Sequence, residues 1–183
     1  MKLKNISKAF GNKQVLNNFS YEFPKKGVVF VSGVSGVGKT TLFNIIAGLI
    51  KPDKGNIELE PVSYLFQEDR LLNHVSVLEN VTCVNNDVEF CSKILSKLGL
   101  GNELSSMPQT LSGGMKRRVA IARTLVYNAD IVLLDEPFKG LDINTLQKTV
   151  EIIKELTTEK LLLIISHEDD EKYFEEYNLI MIE

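Results

Sequence analysis

Residues 28–31 read Val-Val-Phe-Val and close in Ser32. A short unbroken apolar run of this kind is the pattern of a strand buried on both faces. Residues 131–134 and 161–165 repeat it, residues 62–66 (Val-Ser-Tyr-Leu-Phe) read as another strand, and residues 179–182 predict a closing edge strand. Residues 19–23 instead alternate strictly (Phe, Ser, Tyr, Glu, Phe), which predicts a strand with one wet face. With residues 2–6 and 14–16 it predicts a small antiparallel sheet beside the first buried strand, the chain turning at 24–27.

Helices fill the gaps. From Thr41 to residue 50 the chain is apolar nearly all round (Leu42, Phe43, Ile45, Ile46, Leu49, Ile50), so a deeply buried helix is expected, with Gly48 and Pro52 punctuating its end. Residues 53–55 read as a turn. Val88, Cys91, Ile94, Leu95 and Leu98 recur at helical spacing within a stretch, 75–100, that has no strand alternation, and Gly99 can end that helix. Residues 115–127 and 144–156 predict two more helices, and residues 168–176 an acidic, solvated helical connection. No repeat, low-complexity segment or linker divides the chain. The expectation is one domain over residues 1–183 of the α/β class: a mainly parallel core sheet, a small antiparallel β subdomain and an all-helical insert at about 70–127.

The polar residues that interrupt this pattern sit at the ends of the apolar runs, where ligands meet an α/β sheet. After the first buried strand comes Gly33-Val34-Ser35-Gly36-Val37-Gly38-Lys39-Thr40-Thr41, which fits the phosphate-loop pattern G-x-x-x-x-G-K-[ST] in its required context, strand then helix. The glycines let amides turn toward phosphate oxygens, the helix start adds positive potential, and Lys39 adds a full charge. Thr40 can place its hydroxyl on magnesium. The 131–134 run delivers Asp135 and Glu136, adjacent carboxylates that cost desolvation energy unless a cation or a reacting water uses them. Asp135 is the natural magnesium partner and Glu136 the natural polariser of water. Ser112, Gly113 and Gly114 precede the 115–127 helix and form a second anion-type helix start, or an ordinary N-cap. Gln67 ends the 62–66 run, and Ser166 and His167 end the 161–165 run; each reads as a site residue or as ordinary edge polarity. Phe10 either stacks on a base or packs as a turn aromatic.

Composition narrows the function classes. At 183 residues, 44% hydrophobic and 25% charged, the chain is an ordinary globular prospect. A net charge of −3 gives no general pull toward nucleic acid or anionic lipid. The longest apolar runs fall far short of the ~18–20 residues of a membrane span, and the MKLKN start lacks the apolar core of a signal peptide. A cytoplasmic chain is expected. Cys83 and Cys91 have neither zinc nor redox spacing and read as reduced thiols; His74 stands alone and reads as exposed or capping.

Together these motifs resemble one family over essentially the whole chain, the ATP-binding cassette (ABC) ATPases, a branch of the P-loop NTPases. Phe10 matches the family's base-stacking aromatic, residues 33–41 its Walker A loop and Gln67 its Q-loop glutamine. Leu111, Ser112, Gly113, Gly114 and Met115 match its signature motif, followed by the basic start Lys116, Arg117, Arg118; residues 131–136 match Walker B, Leu141 and Asp142 the D-loop, and His167 the switch histidine. The signature discriminates, because other P-loop folds share only Walker A and Walker B. The resemblance implies ATP and magnesium as ligands, with Thr40, Gln67 and Asp135 toward the metal and Glu136, His167 and Gln67 in hydrolysis. It implies a second cassette, whose signature closes over the γ-phosphate held by Lys39.

It also implies a separate transmembrane permease docking near Gln67 and residues 72–81, and so a place on the inner face of the cell membrane, with an extracytoplasmic substrate-binding protein as a further partner and no nucleic acid. Residues 62–81 and 135–142 look like those of importers for nitrate, sulfonate, taurine and related molecules. Three features depart from the pattern. Met115 replaces a usual glutamine, the short 55–62 segment predicts a trimmed antiparallel subdomain, and the end soon after the last strand predicts no C-terminal regulatory domain. Two other readings compete: a soluble cassette acting on nucleic acid or ribosomes, which generally carries tandem cassettes or basic extensions, and a small-molecule kinase, which predicts a substrate lid where LSGG stands.

Overall fold

The computed structural model describes residues 1–166 and 170–182. Among the described residues, eight strands form two sheets and five α-helices pack around them. Strands β1 (Lys2–Phe10), β2 (Lys13–Glu22) and β4 (Lys54–Ile57) make an antiparallel sheet in the order β2-β1-β4. Strands β3 (Gly27–Ser32), β5 (Val62–Leu65), β6 (Ile131–Asp135), β7 (Leu161–Ile165) and β8 (Asn178–Met181) make the core sheet in the order β5-β6-β7-β3-β8, and every pairing in it is parallel. The apolar runs therefore form the core sheet as the pattern predicts, with β8 on its edge.

Period-two geometry sends alternate residues of these strands into two different cores. Ile131, Leu133, Leu161, Leu163 and Ile165 face helix α1 (Lys39–Ile46) and the antiparallel sheet. Val132, Leu134, Leu162 and Ile164 face helices α3 (Val88–Lys97), α4 (Gly113–Val126) and α5 (Ile143–Thr157). Helix α2 (Val77–Thr82) belongs to that second core and opens with a capping box between Ser76 and Glu79. A strand covered on both faces needs no polar alternation, which is why these segments read as solid apolar runs.

The structure corrects the sequence pattern in four places. The predicted strands at 14–16 and 19–23 are one long strand, β2, whose pairing with β1 shifts register at three points, so its alternation is broken where it bends. Helix α1 stops at Ile46 rather than running to 50: the Gly48 amide turns back to Ile45 O at 3.0 Å, and Leu49 is 58% exposed. The turn expected at 53–55 leads into β4, which pairs with β1 and is tied down by Asp53 through Lys8 Nζ (2.7 Å) and the Ala9 amide (2.8 Å). Of the connection expected at 168–176, residues 170–173 form a 3-10 turn, and it is not all solvated: Phe174 is buried edge-on against Phe30 with ring centroids 5.4 Å apart. Among the described residues no helix is long and apolar enough to cross a membrane.

Candidate active site

Strands β3, β5, β6 and β7 deliver their polar ends to one side of the core sheet, and a cleft of ≈ 280 Å³ opens there. Its walls are Ser35, Gly36, Gly38, Lys39, Thr40 and Thr41 from the loop after β3, Gln67 from after β5, and Asp135 and Glu136 from β6, with Val15 and Ile165 completing them. The loop is held from both sides by main chain. A Cβ on Gly38 would lie 2.5 Å from Val15 O, and one on Gly33 would lie 2.5 Å from Ile182 O, at φ values of +123° and +146°. Any side chain at either position would meet backbone that has no room to yield.

Lys39 is 5% exposed, and its ammonium donates to Gly33 O (2.6 Å) and Val34 O (3.1 Å). Burial pushes its pKa below the ordinary lysine value, and the facing carboxylates of Asp135 and Glu136 oppose that fall. Thr40 Oγ1 donates to Asp135 Oδ2 at 2.8 Å, and Asp135 is 1% exposed. A hydroxyl and a carboxylate converging in this way fit a hard cation, which takes few protein oxygens when phosphate and water complete its shell. Among the described residues no cluster of three or more His, Cys, Asp or Glu that could hold a metal ion is present.

Glu136 sits just outside the strand at φ +50°, a left-handed conformation rare for a glutamate, and its amide donates to Ile165 O at 2.9 Å. Gln67 Nε2 donates to its Oε1 at 3.0 Å, and Lys139 Nζ pairs with its Oε2 at 3.1 Å. The structure thus gathers Ser35, Gly36, Gly38, Lys39, Thr40 and Thr41 of the Walker A stretch with Gln67, Asp135 and Glu136 into one cleft, while Gly33, Val34 and Val37 do not line it. His167 lies outside the described residues, while Ser166 beside it donates its hydroxyl to Asp170.

Other sequence candidates stand elsewhere. None of residues 111–115 lines the cleft. Leu111 is buried, Ser112 caps α4 by accepting the Met115 amide at 3.3 Å, Gly113 is exposed with no atom within 4 Å of where a Cβ would be, and Met115 packs half-buried on the core. Gly114 approaches the D-loop instead, its Cβ position lying 3.2 Å from Gly140 O. Asp142 accepts the Asn144 and Thr145 amides, both at 3.1 Å, as the N-cap of α5; the hydrogen bonds to Thr145 hold its carboxyl below the usual aspartate pKa. Phe10 is 50% exposed at the end of β1, free of the core packing that a turn aromatic would need, with Lys8 Nζ 5.6 Å from its ring centre. His74 is exposed.

Four residues at the site escape a reading by motif. Val15 and Ile182 meet the loop through backbone carbonyls, which leave no side-chain signal. Lys139 follows the DEPF run, and its charge beside a carboxylate was there to be noticed. Arg117 is 4% exposed inside the basic stretch that opens α4, on the same helical stripe as buried Ile121 and Thr124.

The family described as ABC transporter matches residues 16–139, from β2 through both carboxylates to Lys139. The chain belongs to the ABC transporter family. It is 36% identical over 177 residues to the aliphatic sulfonates import ATP-binding protein SsuB 1 of Paracoccus denitrificans, across 92% of this chain and 73% of that protein. It is 32% identical over 198 residues to the putative hemin import ATP-binding protein HrtA of Staphylococcus epidermidis, across 91% of this chain and 89% of that one. Among solved structures, the dimeric MJ0796, a bacterial ABC transporter cassette, has a TM-score of 0.85 at 27% identity, covering 98% of this chain and 94% of its own. A post-hydrolysis form of that cassette, bound to ADP and Pi, matches with the same TM-score and covers 100% of this chain. The cassette described here is an ATP-binding, ATP-hydrolysing component of that family.

Proposed function

We propose that this cassette hydrolyses ATP as one half of a two-cassette sandwich and passes the closing motion to a separate transmembrane permease. The observation that carries the reading is the division of labour within the chain. The cleft holds Lys39, Thr40, Asp135, Glu136 and Gln67 but none of residues 111–115, although the chain builds a helix start of small, exposed residues there. A second copy placed head to tail supplies the missing wall: Ser112, Gly113 and Gly114 of each chain meet the γ-phosphate gripped by Lys39 of the other. Phe10 takes the base, Asp142 and the Gly140 turn meet across the seam, and Gly33 through Thr41 wrap the phosphates.

The donor set fits magnesium, which Thr40 and Asp135 would hold with Gln67 beside them, and which when bound neutralises charge on the β- and γ-phosphates. Glu136 then orients and polarises the attacking water, and His167 shares in hydrolysis as the family resemblance implies. The Glu136 carboxylate meets Gln67 directly, so a permease segment that displaces residues 67–81 also moves the base. That gives transport and chemistry one shared part.

The relatives are named for different cargoes, sulfonates and hemin among them. We read this as a motor that carries no cargo site of its own, with specificity set by the permease and an extracytoplasmic binding protein, and with the cassette held peripherally at the cytoplasmic face.

The test is Glu136→Gln. It keeps the shape of the site and removes the base, so ATP affinity holds, a two-chain species accumulates with ATP by light scattering, and turnover drops by about 10²–10⁴-fold. Turnover at the wild-type rate would remove Glu136 from its role. Recovery of the expressed protein with a multi-span membrane protein supports the permease; recovery only with ribosomes or DNA overturns it.

A further inference from the structure

Arg117 is buried on the first turn and a half of α4, and its guanidinium bonds to both loops that carry the chemistry. On one side Nη1 donates to Phe66 O at 2.7 Å and Asp69 Oδ1 at 3.1 Å, with Gln67 O at 3.4 Å. On the other, Nη2 donates to Glu136 O at 2.8 Å and to Asp135 O, and Nε to Pro137 O at 3.3 Å. One planar fork therefore spans the main chain around Gln67 and the main chain on either side of Glu136. Only arginine offers five donors in that fixed geometry; a lysine ammonium is a point charge with three.

We propose that Arg117 is a positioning residue for hydrolysis, holding Glu136 at its left-handed backbone and in register with Gln67. It touches no reacting atom and acts through Glu136. A glutamate at φ +50° persists only when its surroundings over-determine it. Here the Ile165 carbonyl takes its amide and Arg117 takes its carbonyl. Arg117 also lies one turn in from Gly113, so the helix that begins at the exposed Ser112 is rigidly joined to the base of its own chain. A shift of that helix start is felt at Glu136 through a single side chain.

The inference rests on the reading of Glu136 as the base, and the experiment separates the two. In Arg117→Lys the charge beside Asp69 stays and the span across the loops is lost. Turnover falls roughly 10- to 100-fold, as expected when a reacting group is misplaced by about an ångström, while the KM for ATP and the affinity for a fluorescent ATP analogue stay within about twofold, because the phosphate loop is untouched. In the Glu136→Gln background the same Arg117→Lys change costs less than about threefold, because residues acting as one unit are not additive. An equal factor in both backgrounds, or affinity falling in step with turnover, shows a general folding role and overturns the proposal. Wild-type turnover in Arg117→Lys overturns it as well. Wild-type turnover in Glu136→Gln alone fails the base assignment instead, whatever Arg117 does.

Discussion

The sequence offers two helix starts of the kind that meets anions, and the chain builds them in opposite ways. Helix α1 begins at Gly38 with no side-chain cap, and main chain from Val15 and Ile182 presses the preceding loop into shape. Helix α4 begins at Ser112, whose hydroxyl oxygen caps the helix, and Gly113 beside it has open space around it. The first is a finished cradle: Lys39 is buried, and Thr40 and Asp135 are already joined. The second does not line the cleft that holds Asp135 and Glu136. Ser112 and Gly113 are small and exposed, and in the proposed sandwich they close over a nucleotide held by the other copy. What one start lacks the other has, which is what the proposed two-cassette site requires.

The sharpest way to break that contrast is a substitution at the open start. Gly113→Asp adds a side chain where there is room for it, and an acidic residue in a first helical turn suits the helix dipole. Folding of the single chain should be unchanged by thermal melting, and its affinity for a fluorescent ATP analogue unchanged within about twofold. In the sandwich the same carboxylate faces phosphate, and like charges brought together cost several kcal/mol. Turnover should fall about 100-fold. If turnover survives, α4's start is an ordinary cap.

The converse change at the closed start acts on the fold. Gly38→Ala puts a Cβ against Val15 O at φ +123°. The backbone strain alone is worth about 1–3 kcal/mol, which for a chain of this size is a loss of roughly 2–12 °C in Tm. Unlike Gly113→Asp, it should weaken single-chain nucleotide binding and stability together. A Gly38→Ala protein with wild-type Tm would show that the hairpin does not clamp the loop.

How much of this was legible follows from where the information lies. Chemistry-bearing side chains at the ends of apolar runs announce themselves, so the loop, Asp135, Glu136 and Gln67 could be placed before any coordinates. Contacts made by main chain do not. Strand β4 reads Lys-Gly-Asn-Ile, with no apolar alternation, and exists because β1 pairs with it and Asp53 pins its start. Helix α1 looked longer because Leu49 and Ile50 continue the apolar run past Gly48, and apolar content cannot show that the chain has already turned. Arg117 hid in a basic stretch that reads as solvated surface. Only its place on the stripe of Ile121 and Thr124 marks it as buried.

The smallest expected effect tests the D-loop, where a cap and a contact across the seam compete for one carboxylate. Asp142 accepts two amides at the start of α5, and these hydrogen bonds lower its pKa from the ordinary value of 3.8. A depressed folded-state pKa gives stability that is present above the unfolded value and lost as pH falls through the folded one. Asp142→Ala should therefore lower Tm by roughly 2–4 °C at neutral pH, and the gap from wild type should close as the pH is taken below 3.8. Turnover separates the two roles. As a cap alone, Asp142→Asn retains most of the activity, since asparagine caps about as well as aspartate. As a residue that also meets the second cassette through its charge, Asp142→Asn keeps the Tm and loses turnover, and that outcome would carry the contrast between the two helix starts one loop further along the seam.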